Sequence, residues 1–379
     1  MRIGIMLRHI HQHGGGVKVY TQNLLDHLFR LAPEHEFELL YQQADGGGRR
    51  YRELPNVRTS CLPIPTRFLW DQLGARFLSK RLGLDLLFNP KYSLPIYSSV
   101  PGVFVCHGLD WYVMPWGSKL ADRVSHKYLM PRYVESAAGI IAVSETTRQH
   151  MFEYWKVEPE RVEVIHHGIG EQFFRPVGEA LRARVRRDYR LPRSYLLYVG
   201  QIYAAKNFAR LLRAYAAVGP RHDVHLVVAG GNAEVPIAEQ ALIEKLGIGR
   251  WVVPCGWIDH DLLPAFYAEA RALLLPSLYE SAALPLVEAM AAGCPVVTSN
   301  RYGTREIAQD AGLLVDPDSV DSIAEGIERA LTDDALCTTL VANGRRRSQL
   351  FSWKRCALET LAFLEQVHAH GLYGGLQLR

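Results

Sequence analysis

Ala272–Val297 reads ALLLPSLYESAALPLVEAMAAGCPVV. An apolar run ends at Pro276, a polar loop carries Glu280, and Pro285 opens a second apolar stretch that stops at Gly293, just ahead of Pro295. Proline suits the first turn of a helix and glycine the position after its last turn, so the segment predicts strand, loop and helix in that order. Free N–H groups and the dipole at such a helix start attract anions, and phosphate is the natural occupant. Glu280 in the loop and Glu288 in the helix flank that corner and would repel a phosphate unless each accepts hydrogen bonds from neutral hydroxyls. Taken singly, Glu280 reads as a turn residue and Glu288 as an exposed helix residue. As a pair in this setting they fit hydroxyls on both sides of a diphosphate, which describes a nucleotide sugar.

Outward from this segment, short apolar or β-branched runs alternate with helical patterns, among them Arg2–Leu7, Glu36–Tyr41, Leu84–Phe88, Gly102–Cys106, Gly139–Val143, Tyr195–Val199 and Val224–Ala229. That alternation predicts βα units and parallel sheets, an α/β protein. A chain of 379 residues is long for one core and suits two domains. The rhythm breaks between His167 and Pro192, where Arg182, Arg184, Arg186 and Arg187 mark a basic, solvated helix. Domains are therefore expected at 1–175 and 176–350, with a C-terminal helix in 351–379 returning toward the first. Each half opens with a strand running into glycine, Ile3–Leu7 to Gly14-Gly15-Gly16 and Tyr195–Val199 to Gly200. Two facing Rossmann-like domains would bind a ligand at the carboxyl ends of their sheets, in the cleft between them.

Lys+Arg 43 against Asp+Glu 39, with 48% apolar residues, describes a globular protein with no call for a polyanion partner such as nucleic acid. Six cysteines lie far apart without a C-x-x-C pair, which fits reduced, buried thiols in a cytoplasmic protein. Met1–Leu7 lacks the layout of a signal peptide, and no apolar run is long enough to span a bilayer.

The spacing Glu280-x7-Glu288, followed by Ala289-Met290-Ala291 and Gly293-x-Pro295-Val296-Val297, resembles the motif of glycosyltransferase family 4, a retaining family of the two-domain GT-B fold. The resemblance covers almost the whole chain: Gly14-Gly15-Gly16 with Tyr20, Val143-Ser144-Glu145, His166-His167-Gly168-Ile169, Val199-Gly200 through Lys206-Asn207, Asp310-Ala311-Gly312 with Asp316-Pro317, and Phe351-Ser352-Trp353. It implies metal-independent transfer of a hexose from a nucleotide diphosphate sugar, of the GDP-mannose or UDP-hexose class, to a glycan or lipid-linked acceptor, with no cofactor. By the same resemblance Glu288 holds the ribose, Glu280 a sugar hydroxyl and Lys206 the diphosphate. His107 contacts the hexose, and Gly15, Gly16 and the helix start at Leu284 and Pro285 approach the phosphate. Two departures stand out. Gln201 replaces a customary arginine, leaving Arg301, Arg305 or Lys206 itself to supply the charge, and Ala282-Ala283 stands where Phe-Gly is usual.

Asp259-His260-Asp261 and Asp316-Pro317-Asp318 match a metal-binding Asp-x-Asp pattern but read better as turns at strand ends. A nicotinamide dehydrogenase is disfavoured because Val19 stands where its glycine fingerprint needs a third glycine. A nucleotide-sugar epimerase of the same shape, or an inactive sugar-nucleotide-binding subunit, remains as an alternative. Finally, Phe68, Leu69, Trp70, Leu73, Phe77, Leu78 and Leu82 fall at helical spacing among Arg67, Arg76, Lys80 and Arg81. The stripe reads first as core packing and second as an interfacial helix, which would make the protein a peripheral one at the inner face of a membrane.

Overall fold

The strand-forming runs assemble, in the computed structural model, into two all-parallel sheets. The structure describes residues 1–11, 15–43, 50–51, 53–117, 120–231 and 235–370. The first sheet comprises β1 (Arg2–Met6), β2 (Glu36–Tyr41), β3 (Val57–Cys61), β4 (Leu86–Asn89), β5 (Gly102–Cys106), β6 (Gly139–Ala142) and β7 (Val162–Val164), in the order β3-β2-β1-β4-β5-β6-β7. The second comprises β8 (Tyr195–Val199), β9 (His225–Ala229), β10 (Val252–Gly256), β11 (Leu273–Leu275), β12 (Val296–Ser299) and β13 (Leu313–Val315), in the order β10-β9-β8-β11-β12-β13. Central strands such as β5, β8 and β11 are buried along their whole length. Parallel strands covered by helices on both faces have to be apolar throughout, which is why they stand out in the sequence.

By contacts the chain divides into Met1–Gly168 with Ser352–Arg379, and Ile169–Phe351. In the first unit the helix Gly16–Leu31 buries Tyr20, Leu24, Leu25 and Leu28 at helical spacing and packs against the helix Trp353–His370. The arginine-rich helix Glu179–Asp188 belongs to the second unit, where Arg182 and Arg186 both reach Glu269. Each sheet reverses its strand order once, between β1 and β4 and between β8 and β11, and ligands of such sheets bind beyond the carboxyl ends at that reversal.

Three features differ from the sequence reading. The edge strands β3, β7 and β13 were not legible, because β3 (VRTSC) exposes most of its residues and β7 and β13 span three residues each. The cysteines are unpaired, but Cys61 is exposed and Cys255 and Cys337 are half-buried, leaving only Cys106, Cys294 and Cys356 buried. The apolar stripe at 67–82 divides: Trp70 and Leu78 enter the core while Phe68, Leu69, Leu73 and Phe77 face solvent. Among the described residues no helix is long and apolar enough to cross a membrane.

Candidate functional site

In the second unit the strand reversal places the loop after β8 beside the loop after β11. Gly200 leaves β8 at φ 139°, and at Gly230 (φ 110°), just past β9, a Cβ would come within 2.9 Å of the Gly200 carbonyl oxygen, so the loops after β8 and β9 approach at a distance only glycine allows. A short turn then presents Lys206, and Asn207 fixes it by donating to the carbonyls of Pro276 (2.9 Å) and Pro317 (2.7 Å). Lys206 Nζ donates to Glu280 Oε1 at 2.5 Å, and Ser277 Oγ donates to the same oxygen at 2.8 Å. Both partners of the ion pair are largely shielded, with side-chain exposures of 12% and 9%. Burial alone would draw the Lys206 pKa down, but the Glu280 carboxylate outweighs it and holds the ammonium above its ordinary value.

Glu288 sits in the helix Leu284–Ala292 and is buried rather than exposed. Tyr267 O–H donates to its Oε2 and His260 Nε2–H to its Oε1, both at 2.9 Å. On the far side of the His260 ring the Gln172 amide meets Nδ1 at 3.2 Å, so the donor at Nε2 is fixed. Burial works against a charged His260, yet the Glu288 carboxylate raises its pKa. A carboxylate oxygen has two acceptor directions, so an oriented Glu288 retains capacity for hydroxyls. No side chain caps this helix, and it begins from Ala283 in the left-handed region at φ 37°. Gln201, Ile202, Gly230, Gly231 and Pro254 help line a cavity of about 260 Å³ beyond the same strand ends.

The first unit holds a different cluster. Tyr20, His107 and His167 lie with ring centroids 4.6–5.4 Å apart, and Trp353 stacks on His167 at 6.3 Å. His107 Nε2–H donates to the Pro90 carbonyl at 2.7 Å, linking the ends of β4 and β5. Burial pushes the His107 pKa down to about 4, and burial together with His107 holds His167 well below its ordinary value. Both imidazoles are therefore neutral at pH 7. Gly15 begins the helix Gly16–Leu31 at φ 100°, and a Cβ at Gly15 or Gly16 would meet nothing described within 4 Å. Gly14 lies outside the described residues.

Sequence reading thus located Lys206, Glu280 and Glu288, and the second unit brings Lys206 and Glu280 into contact. It gave no role to Ser277, Tyr267 or Gln172. His260 was visible only as the middle of an Asp-x-Asp match, although a tyrosine in an otherwise apolar helix signals a buried hydroxyl in want of a partner. Of the two arginines considered in place of Gln201, Arg301 is committed to Asp316 (2.8 Å) and Asp318 (2.5 Å), so the second Asp-x-Asp grips a guanidinium. Arg305 is exposed on the helix Tyr302–Ala308.

Family models agree with this division: residues 14–173 match Glycosyltransferase Family 4 and residues 183–347 match Glycosyl transferases group 1. An uncharacterized glycosyltransferase of Methanocaldococcus jannaschii is 31% identical over 92% of this chain and 93% of its own length. The O-antigen chain mannosyltransferase B of Escherichia coli is 31% identical over 60% of each chain. Among solved structures, sucrose-phosphate synthase of Thermosynechococcus elongatus superposes with TM-score 0.78 at 24% identity, covering 97% of this chain and 99% of that one. Anabaena HepE in complex with UDP-glucose superposes with TM-score 0.73 at 18% identity, covering 97% and 100%. The fold is GT-B, and the chain belongs to glycosyltransferase family 4.

Proposed function

We propose that this protein transfers a hexose, mannose first among the candidates, from a nucleoside diphosphate donor to a glycan or lipid-linked acceptor, with retention and without a metal ion. The observation that carries the reading is the meeting of Lys206, Ser277 and Glu280 at the strand reversal of the second sheet, with a cavity lined in part by Gln201, Gly230 and Gly231 at the neighbouring strand ends. A mannosyltransferase among the relatives and a UDP-glucose complex among proteins of the same fold support it.

In this reading Lys206 and the uncapped start of the helix Leu284–Ala292 face the diphosphate, Gln201 lies beside it, Glu280 takes a hexose hydroxyl and Glu288 the ribose. The first unit contributes His107 to the hexose and Gly15 and Gly16 to the phosphate. As the bond from the anomeric carbon to the β-phosphate oxygen breaks, its electron pair stays with the phosphate. The acceptor oxygen bonds to the same carbon and its proton passes to the departing phosphate. Negative charge grows only on the leaving group, so preorganised donors such as Lys206 act most strongly at that stage.

A panel of GDP- and UDP-sugars with a lipid-linked oligosaccharide, followed by product chromatography and anomeric NMR, tests this reading. Transfer with retained anomeric configuration, undiminished by EDTA, is the expected result. A free, altered sugar nucleotide would favour the epimerase, and loss of turnover to EDTA with rescue by magnesium or manganese would end the metal-free scheme.

A further inference from the structure

The segment after β3 runs as one helical rod with a wide turn inside it: α-helical at Arg67–Leu69, π-helical over Trp70–Gly74 and α-helical again at Ala75–Arg81. A π turn shifts the phase of a helix and marks places where a particular face has to be presented. Here the inward face is pinned by polar contacts. Asp71 takes a bidentate pair of bonds from Arg8 (2.8 Å each) and another from Ser93 (3.1 Å). Gln72 donates to the Leu94 carbonyl (3.0 Å) and accepts from the Ile96 N–H (2.9 Å). Trp70 and Leu78 fill the core between them.

The outward face is what remains. Phe68, Leu69, Leu73 and Phe77 are 42–59% exposed along successive turns, where a soluble surface would carry polar residues. Arg67, Arg76, Lys80 and Arg81 are exposed around them, and no salt bridge reaches any of the four among the described residues. The only carboxylate of the segment, Asp71, is buried under Arg8. An apolar ridge rimmed by unpaired cations, on a helix with no free strand edge, matches a surface that is negatively charged outside and hydrocarbon within.

We propose that the face formed by Phe68, Leu69, Leu73, Phe77 and their flanking cations docks on an anionic lipid bilayer. Its inward contacts reach the loop after β4, which also carries the Pro90 carbonyl that holds His107. Docking would thus place this helix between the bilayer and the loop after β4. The inference goes beyond the transfer reaction and can be tested apart from it.

Flotation of the full chain with phosphatidylcholine vesicles, with and without phosphatidylglycerol, at low and high salt, provides the test. Binding only to the phosphatidylglycerol vesicles is expected, weakening with salt. Arg76→Glu/Lys80→Glu should weaken it at least tenfold at low salt, since each cation near such a surface is worth roughly fivefold. Leu73→Ser/Phe77→Ser should abolish the part that survives high salt. All four positions are exposed, so melting temperature and donor-induced thermal shift should match wild type, which separates this result from the fate of the donor assignment. No flotation of wild type at low salt, or equal flotation of both variants, overturns the proposal. So does light scattering that shows a dimer dissolved by Leu73→Ser/Phe77→Ser.

Discussion

At the ends of β8 and β11, Lys206, Glu280 and Ser277 form a charged cluster in which each group answers another. At the ends of β4 and β5 the first unit assembles Tyr20, His107, His167 and Trp353, an aromatic cluster with no fixed charge, in which neither nitrogen of the buried His167 has a hydrogen-bond partner among the described residues. One topology has therefore been furnished in two ways. The charged corner is organised by an ion pair, whereas burial in the neutral corner favours uncharged imidazoles.

The largest expected effect breaks the charged corner. Lys206→Ala leaves Glu280 shielded and unpaired, a loss of about 3–5 kcal/mol when one member of a buried pair is removed. Urea unfolding should show it, and Lys206→Ala/Glu280→Ala should regain most of it. Activity should not return in the double variant, because the proposed reading puts the Lys206 cation at the leaving group, and kcat should then fall roughly ten- to a hundredfold. If the two substitutions are additive in stability, the pair is not the organising feature of the corner.

Next comes pH, where the two units should respond with opposite sign. The folded-state pKa of His107 lies at about 4, below its unfolded value, so its contribution is complete above roughly pH 6.5 and fades as pH falls toward 4. That shift corresponds to on the order of 3 kcal/mol, with His167 adding in the same direction. His260, whose pKa is raised, contributes fully at low pH and loses its contribution as pH rises through that raised value. Melting temperatures between pH 4 and 8 should therefore fall on the acid side, and His167→Phe should flatten that fall. A profile unchanged in His167→Phe would remove the neutral-imidazole account of the first unit.

A third comparison lies inside the charged corner. Tyr267 and His260 hold the Glu288 carboxylate, and in the proposed reading that carboxylate takes the ribose, which is bound alike before and during bond breaking, so Glu288→Ala should chiefly raise KM for the donor, by about 1.5–3 kcal/mol of binding. His260→Ala, which only releases the orientation of Glu288, should raise KM less and shift its pH dependence. Equal effects on kcat and KM would place Glu288 at the reacting centre instead.

How far the sequence revealed these corners follows from what each is made of. Strands buried on both faces, such as Tyr195–Val199, announce themselves by unbroken apolar composition, while Val57–Cys61 at an edge carries no such pattern. Glu280 and Glu288 were legible because Pro285 and Gly293 bracket a helix and fix their spacing. Partners that arrive from distant segments leave no local trace. His260 meets Glu288, and Gln172 meets His260, only through the tertiary fold, and nothing near Asp71 in sequence foretells that Arg8 will bury it. The exposed ridge at 68–77 was legible as a stripe but not as a surface, because a single apolar periodicity serves core and interface alike.

The smallest effect sharpens the comparison at the two helix starts. Gly15 enters the helix Gly16–Leu31 at φ 100°, a conformation that glycine takes freely, whereas Ala283 enters the helix Leu284–Ala292 at φ 37°, where a Cβ crowds the following carbonyl. Ala283 is also one of the two alanines that depart from the Phe-Gly of the family pattern, so this chain keeps a side chain where the backbone favours none. Left-handed alanine costs roughly 1–2 kcal/mol, and glycine gives back about 0.4–1 kcal/mol through the unfolded chain's greater freedom. Ala283→Gly should therefore be neutral or stabilising by up to about 1 kcal/mol, against the usual penalty for glycine near a helix, while Gly15→Ala should be destabilising. Paired urea titrations of the two variants measure both signs. A loss of stability in Ala283→Gly would mean that the buried methyl group outweighs the backbone strain, and the two helix starts would then differ in packing rather than in conformation.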